Sequence, residues 1–140
     1  MTDASAWLLV HLLATTALAA VGWVVQVVVY PSFALVGAES WERFHARHRW
    51  SISLVVLPPW LAQGVSVVVL TLVLGLPGMV LAALALAGVA LTVFAAVPEH
   101  DRLAPGGDPR RLLRANLART LVWTASAAVT VVLGSLPSAP

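Results

Sequence analysis

The sequence predicts an all-α membrane protein: a four-helix transmembrane bundle with one short outer turn and two polar cytoplasmic loops. Three observations predict it. The 140-residue chain is 60% hydrophobic and 10% charged, with mean hydropathy +0.93, whereas soluble domains carry about 25% charged residues. Runs without Asp, Glu, Lys or Arg extend from Ala4 to Ala38 and from Trp50 to Pro98, and a helical span needs about 20 apolar residues. The basic residues are all arginines, and they gather in two segments. The length fits a single integral membrane domain over residues 1–140.

Taken in order, the first run predicts helix one over 6–30, with Pro31 ending it, since proline lacks the N–H that a helix interior needs. An interfacial helix over 40–49 follows in the first polar loop, residues 31–49. The second charge-free run is too long for one span, and Gly75-Leu76-Pro77-Gly78 breaks it with turn residues. It therefore predicts helix two over 50–74, kinked at Pro58-Pro59, and helix three over 79–97. The polar loop 98–111 contains Pro105-Gly106-Gly107-Asp108-Pro109, and helix four runs over 112–136, leaving Pro137-Ser138-Ala139-Pro140 as a frayed tail. Membrane strands would alternate apolar and polar residues over about ten positions, and these runs do not. The two halves share a plan: a helix ending at Pro31 or Pro98, a His-containing basic loop, and a returning helix.

The arginines, Arg43, Arg47, Arg49, Arg102, Arg110, Arg111, Arg114 and Arg119, lie in or beside the first and third loops. Positive loops stay in the cytoplasm, so the expected arrangement in a bacterial inner (plasma) membrane puts both loops inside and both termini outside. Trp7 suits the outer interface, and Tyr30, Trp41 and Trp50 the inner one. The N-terminus lacks the basic region of a signal peptide, so the first run is read as mature structure. A pI near 10.5 would point to nucleic acid in a soluble chain, but arginines flanking spans meet lipid headgroups instead, and nucleic-acid binding is set aside. The absence of cysteine removes disulfides, thiolate metal sites and thiol nucleophiles.

Candidate chemistry sits where polar residues enter the spans. Trp23, Gln26 and Tyr30 share one face of helix one, and Asn116, Arg119, Thr120 and Trp123 share one face of helix four. Facing each other, these stripes would line a substrate pocket. Taken singly, Gln26 and Asn116 also fit a simpler role as interhelical hydrogen-bond glue. An arginine in a span costs about 2.5–3.5 kcal/mol at the centre. Arg119 is accordingly either a snorkelling side chain or a pocket cation for an anionic or enolate oxygen. His48 and His100 stand at the mouths of spans as candidate general bases or metal ligands. His45 is read chiefly as a solvated neighbour and His11 as interfacial. Glu42-x-x-His45 has the spacing of carboxylate-bridged di-iron bundles, but no second Glu-x-x-His accompanies it. Gln63 is expected deep in the membrane on the His48 face.

The pattern Trp23-x-x-Gln26-x-x-x-Tyr30-Pro31, Phe44-His45-x-x-His48, Pro58, Val97-Pro98-x-His100 and Asn116-x-x-Arg119-Thr120-x-x-Trp123 resembles a group of small bacterial four-helix membrane proteins. More distantly it is similar to the anthrone oxygenase-like membrane proteins. That resemblance implies cofactor-poor oxygenation of a polyphenolic substrate, with His48, His100, Asn116 and Arg119 at the recurring polar positions. Gln63 departs from the group's pattern, which has Glu after the helix-two proline.

Three functions follow as alternatives. One is an oxidoreductase or oxygenase acting on a lipophilic aromatic or quinone-like small molecule, with His48, His100, Arg119 and Asn116 as catalytic residues and Gln26, Trp23, Tyr30, Thr120 and Trp123 lining the pocket. No cofactor is required by the sequence. The second is a haem or metal carrier using His48 and His100. The third is a non-catalytic protein that binds lipid or a partner through its arginine-rich loops. Small residues such as Ala82, Ala85, Gly88 and Ala95 would also permit a homo-oligomer.

Overall fold

A computed structural model describes residues 3–136; the tail from Pro137 lies outside the described residues. Helix α1 begins as Asp3–Val24, passes through a π turn at Val25–Val29 and Tyr30–Ser32, and ends in a 3-10 turn at Phe33–Leu35. Helix α2 is Ala38–Leu74. Helix α3 joins Leu76–Leu91, a π turn at Thr92–Ala96 and Val97–Arg102, and helix α4 is Arg110–Ser135. All four are long and apolar enough to cross a membrane, so the chain is an all-α bundle of a multi-pass membrane protein.

Three expected boundaries are corrected. Pro31 and Pro98 do not end their helices. A proline has no N–H to give the carbonyl four residues earlier, and its ring crowds that carbonyl; widening the preceding turn relieves both. The Tyr30 N–H accordingly reaches back to the Val25 carbonyl, and the Val97 N–H to the Thr92 carbonyl. The interfacial helix and helix two are likewise one element, since the 37 residues of α2 run unbroken through Pro58 and Pro59. At about 1.5 Å per residue, α2 far exceeds the roughly 30 Å hydrocarbon core, so one end of it projects. The turn between α2 and α3 shrinks to Gly75, whose φ of 63° is the left-handed conformation that glycine tolerates.

Helix α1 packs against α2 and α4, and α3 packs against the same two, leaving α1 and α3 on a diagonal. The shared plan of the halves extends to their packing. Each π turn is followed by one residue and then the proline, and buried positions pair at one constant offset: Ala14 with Leu81, Leu18 with Ala85, and Phe33 with His100.

Burial is inverted relative to a soluble bundle. Leu72 and Phe94 are 81% and 80% exposed, while Thr15, Gln63, Ser66, Asn116, Thr120, Ser126 and Thr130 are buried. Exposed side chains that meet lipid tails lose nothing, whereas polar groups left in hydrocarbon cost several kcal/mol. The polar residues therefore turn inward. Three apolar clusters stack along the bundle. Tyr30, Phe33, Trp41 and Leu112 sit at the arginine-rich end. Leu18, Ala19 and Trp123 form the middle, and Val67, Leu70 and Leu81 the opposite end.

Candidate functional site at the arginine-rich end

The site is built where α1 and α4 touch. Gly22 allows this approach, because a Cβ there would collide with the Thr120 side chain, and the closeness brings Asn116 onto the α1 backbone. The Asn116 amide nitrogen donates to the Gly22 carbonyl at 3.1 Å and to Gln26 Oε1 at 2.8 Å. Its oxygen accepts from Arg119 Nε at 3.1 Å and from Nη2 at 2.9 Å. Arginine only donates, so the amide orientation is fixed and every polar atom of Asn116 is used. Asn116, expected as a catalytic residue, thus ties Arg119 to Gly22 and Gln26 of α1.

The Arg119 guanidinium is further held over the Trp123 ring, 5.5 Å from its centroid, a cation–π contact. It also lies close enough to the Tyr30 hydroxyl for the two to interact electrostatically. Arg119 is half-buried, and Asn116 takes only two of its five N–H donors. Trp123, 2% exposed, has an indole N–H without a hydrogen-bond partner among the described residues; its edge abuts Gly88, where a Cβ would lie 2.9 Å from Nε1.

Beyond Tyr30 the histidines converge. The Tyr30 hydroxyl is 2.8 Å from His100 Nε2 across the α1–α3 diagonal, and His100 Nδ1 is 3.1 Å from His45 Nε2. His45 stacks on Trp41 at 4.9 Å and 14° and on His100 at 5.4 Å. His48 stacks on His100 at 5.8 Å and packs edge-on against Phe33 at 4.9 Å, with its Nε2 unpartnered among the described residues. His45, expected to be solvated, thus belongs to the cluster. Two further departures are Trp23 and Glu42. Trp23 is 39% exposed and bonds Thr124 at 3.2 Å on the outside of the seam, apart from the pocket residues. Glu42 is exposed.

For the metal alternative, no group of three or more His, Asp or Glu side chains among the described residues is arranged to hold an ion. His100 has both ring nitrogens engaged.

A second polar group, unforeseen, fills the opposite half. His11 is fully buried rather than interfacial, with Nδ1 3.0 Å from Ser66 Oγ and Nε2 3.3 Å from Ser126 Oγ. Ser66 donates to the Gln63 carbonyl, so its oxygen accepts from His11 Nδ1–H, and Ser126 donates to Nε2. Gln63 donates to Thr15 at 3.2 Å. The signal was present in the spacing: His11, Thr15, Gly22, Gln26 and Tyr30 recur at helical intervals on one face of α1. A groove of about 880 Å³ opens at that end, lined by Leu8, Leu12, Leu74, Thr130 and Leu133, and it is remote from Arg119.

Fold and site together define a multi-pass helical membrane protein with a positively charged polar centre set into one end of its bundle. Comparison with protein-family models, curated proteins and solved structures found no match for the chain.

Proposed function

We propose that the protein is an oxidoreductase-like membrane acid–base catalyst that binds a lipophilic phenolic, enolic or quinone-type substrate through its oxygen at Arg119. One observation carries this reading: a half-buried guanidinium, oriented by Asn116 and Trp123, that faces a tyrosine hydroxyl. A preorganised cation in a low-dielectric site stabilises a developing oxyanion far better than water-exposed charge does. Because the centre lies within an apolar bundle, a lipophilic substrate reaches it from the bilayer. Tyr30 is the group placed to exchange the substrate's proton, with His100 Nε2 2.8 Å from its hydroxyl. By the positive-inside rule, this end faces the cytoplasm of the cell that makes it.

The test uses purified protein in nanodiscs titrated with a para-nitrophenol bearing an alkyl tail, whose phenolate absorbs in the visible. Wild type is expected to bind the phenolate, and Arg119→Leu to weaken that binding roughly 10²–10³-fold. Arg114→Leu, which removes an exposed charge from the same helix, is expected to bind like wild type. Equal phenolate binding by wild type and Arg119→Leu contradicts the reading.

A further inference from the structure

The hydrogen bonds around Tyr30 have a direction. The Arg119 cation lies near the Tyr30 hydroxyl, and its charge favours the orientation in which the oxygen faces the guanidinium and the proton points to His100 Nε2, at 2.8 Å. A neutral imidazole has one donor and one acceptor nitrogen. With Nε2 accepting, His100 carries its proton on Nδ1 and donates it to His45 Nε2 at 3.1 Å. His45 then carries its own proton on Nδ1. Its ring is held by Trp41 on one side and His100 on the other, and it is only part-buried, beside the exposed Arg49–Asp101 ion pair. A continuous file thus leads from the half-buried cation to the rim of the bundle.

We propose that Tyr30, His100 and His45 form a directional proton relay that exchanges one proton at a time between the Arg119 centre and water, with His45 as its port. The proposal rests on the acid–base reading above and deepens it. On release, the Tyr30 O–H bond breaks as a His100 Nε2–H bond forms. The His100 Nδ1 proton passes to His45 Nε2, and the His45 Nδ1 proton leaves to water. Tyrosinate is left beside Arg119, which balances its charge, and takes the proton of the phenolic substrate. Both imidazoles are then Nε2–H tautomers, poised for the reverse passage, in which Tyr30 gives its hydroxyl proton to an anionic substrate oxygen, His100 Nε2 returns a proton to Tyr30, His45 Nε2 passes its own to His100 Nδ1, and His45 Nδ1 takes one from water. Release and uptake in alternation reset the file without turning a ring, which suits a substrate that gives and takes protons, as a quinol–quinone couple does.

Two measurements test it. In the wild-type protein in nanodiscs, nitrogen-15 histidine spectra should show His100 and His45 each protonated on Nδ1, and Tyr30→Phe should release the tautomer bias of His100. His100 protonated on Nε2 in the wild type, or a His100 signal unmoved by Tyr30→Phe, overturns the relay. In stopped flow with a water-soluble pH indicator, mixing with the alkyl para-nitrophenol should release a proton, and His45→Ala should slow that release roughly 10²-fold. Free imidazole should restore the rate, an effect a merely structural role does not produce. Release from His45→Ala at the wild-type rate, or a slowed rate that imidazole leaves unchanged, overturns the relay. If the wild type binds no nitrophenol, the proposed substrate class fails, and the histidine spectra still decide the relay by themselves.

Discussion

The bundle buries two polar groups of opposite character, one at each end. At the arginine-rich end a cation faces a tyrosine and a file of imidazoles that reaches the rim. At the opposite end His11 is fully buried between two serine hydroxyls, with Gln63 and Thr15 beside it. The second group pairs neutral donors with acceptors and stops there, which is how polar side chains join membrane helices. The first spends part of its hydrogen bonding on holding a charge in place. Polar burial alone is therefore common to both ends of this protein; the proposed site is set apart by a charge with donors to spare and a route to water.

Substitutions can break or sharpen that contrast. The largest effect is expected from Arg119→Leu, roughly 2.7–4 kcal/mol in phenolate affinity, the scale of losing one oxyanion donor, read by nitrophenol titration. Next comes Gly22→Val, which drives a side chain into Thr120; overpacking costs about 1–3 kcal/mol and should lower thermal stability and phenolate binding together, since Asn116 would lose its seat on α1. Gly64→Ala, with open space at its Cβ position, is the matching control and should melt no lower than wild type.

His11→Leu is expected to lower stability by about 0.6–1.7 kcal/mol, the measured range for membrane side-chain hydrogen bonds, while nitrophenol affinity stays at the wild-type value. A loss of phenolate binding in His11→Leu would show that the two groups are coupled and would end the contrast. The smallest effect belongs to Asp101→Asn. The Arg49–Asp101 pair is 2.9 Å long, but both side chains are about half exposed, and such pairs are worth about 0–1 kcal/mol, so its melting temperature should barely move.

The span count and the placing of Gln26 and Tyr30 against Asn116 and Arg119 were legible in the sequence, because hydropathy and helical spacing are local properties; the outward turn of Trp23 was not. What escaped depends on the partner a side chain meets. Pro31 and Pro98 read as stops, yet a π turn before each lets the helix run on to bury Phe33 and His100 beyond it. His45 looked solvated because its partners, Trp41 and His100, lie on its own helix and on one distant in sequence. His11 looked interfacial because Ser66 and Ser126, small residues without a motif, gave no hint that they converge on it. Asn116 and Arg119 were found as candidates, but their division of labour, bracket and cation, is a matter of which lone pairs are already used.

The central claim is that Arg119 and Tyr30 act as one site. A double-mutant cycle on nitrophenolate affinity, with Tyr30→Phe, Arg119→Leu and the pair, tests it most directly. A single site predicts a coupling of about 0.5–3 kcal/mol, so that the second substitution costs much less once the first is made. Effects that add to within about 0.3–0.5 kcal/mol would mean that the two residues work separately, and would contradict the account.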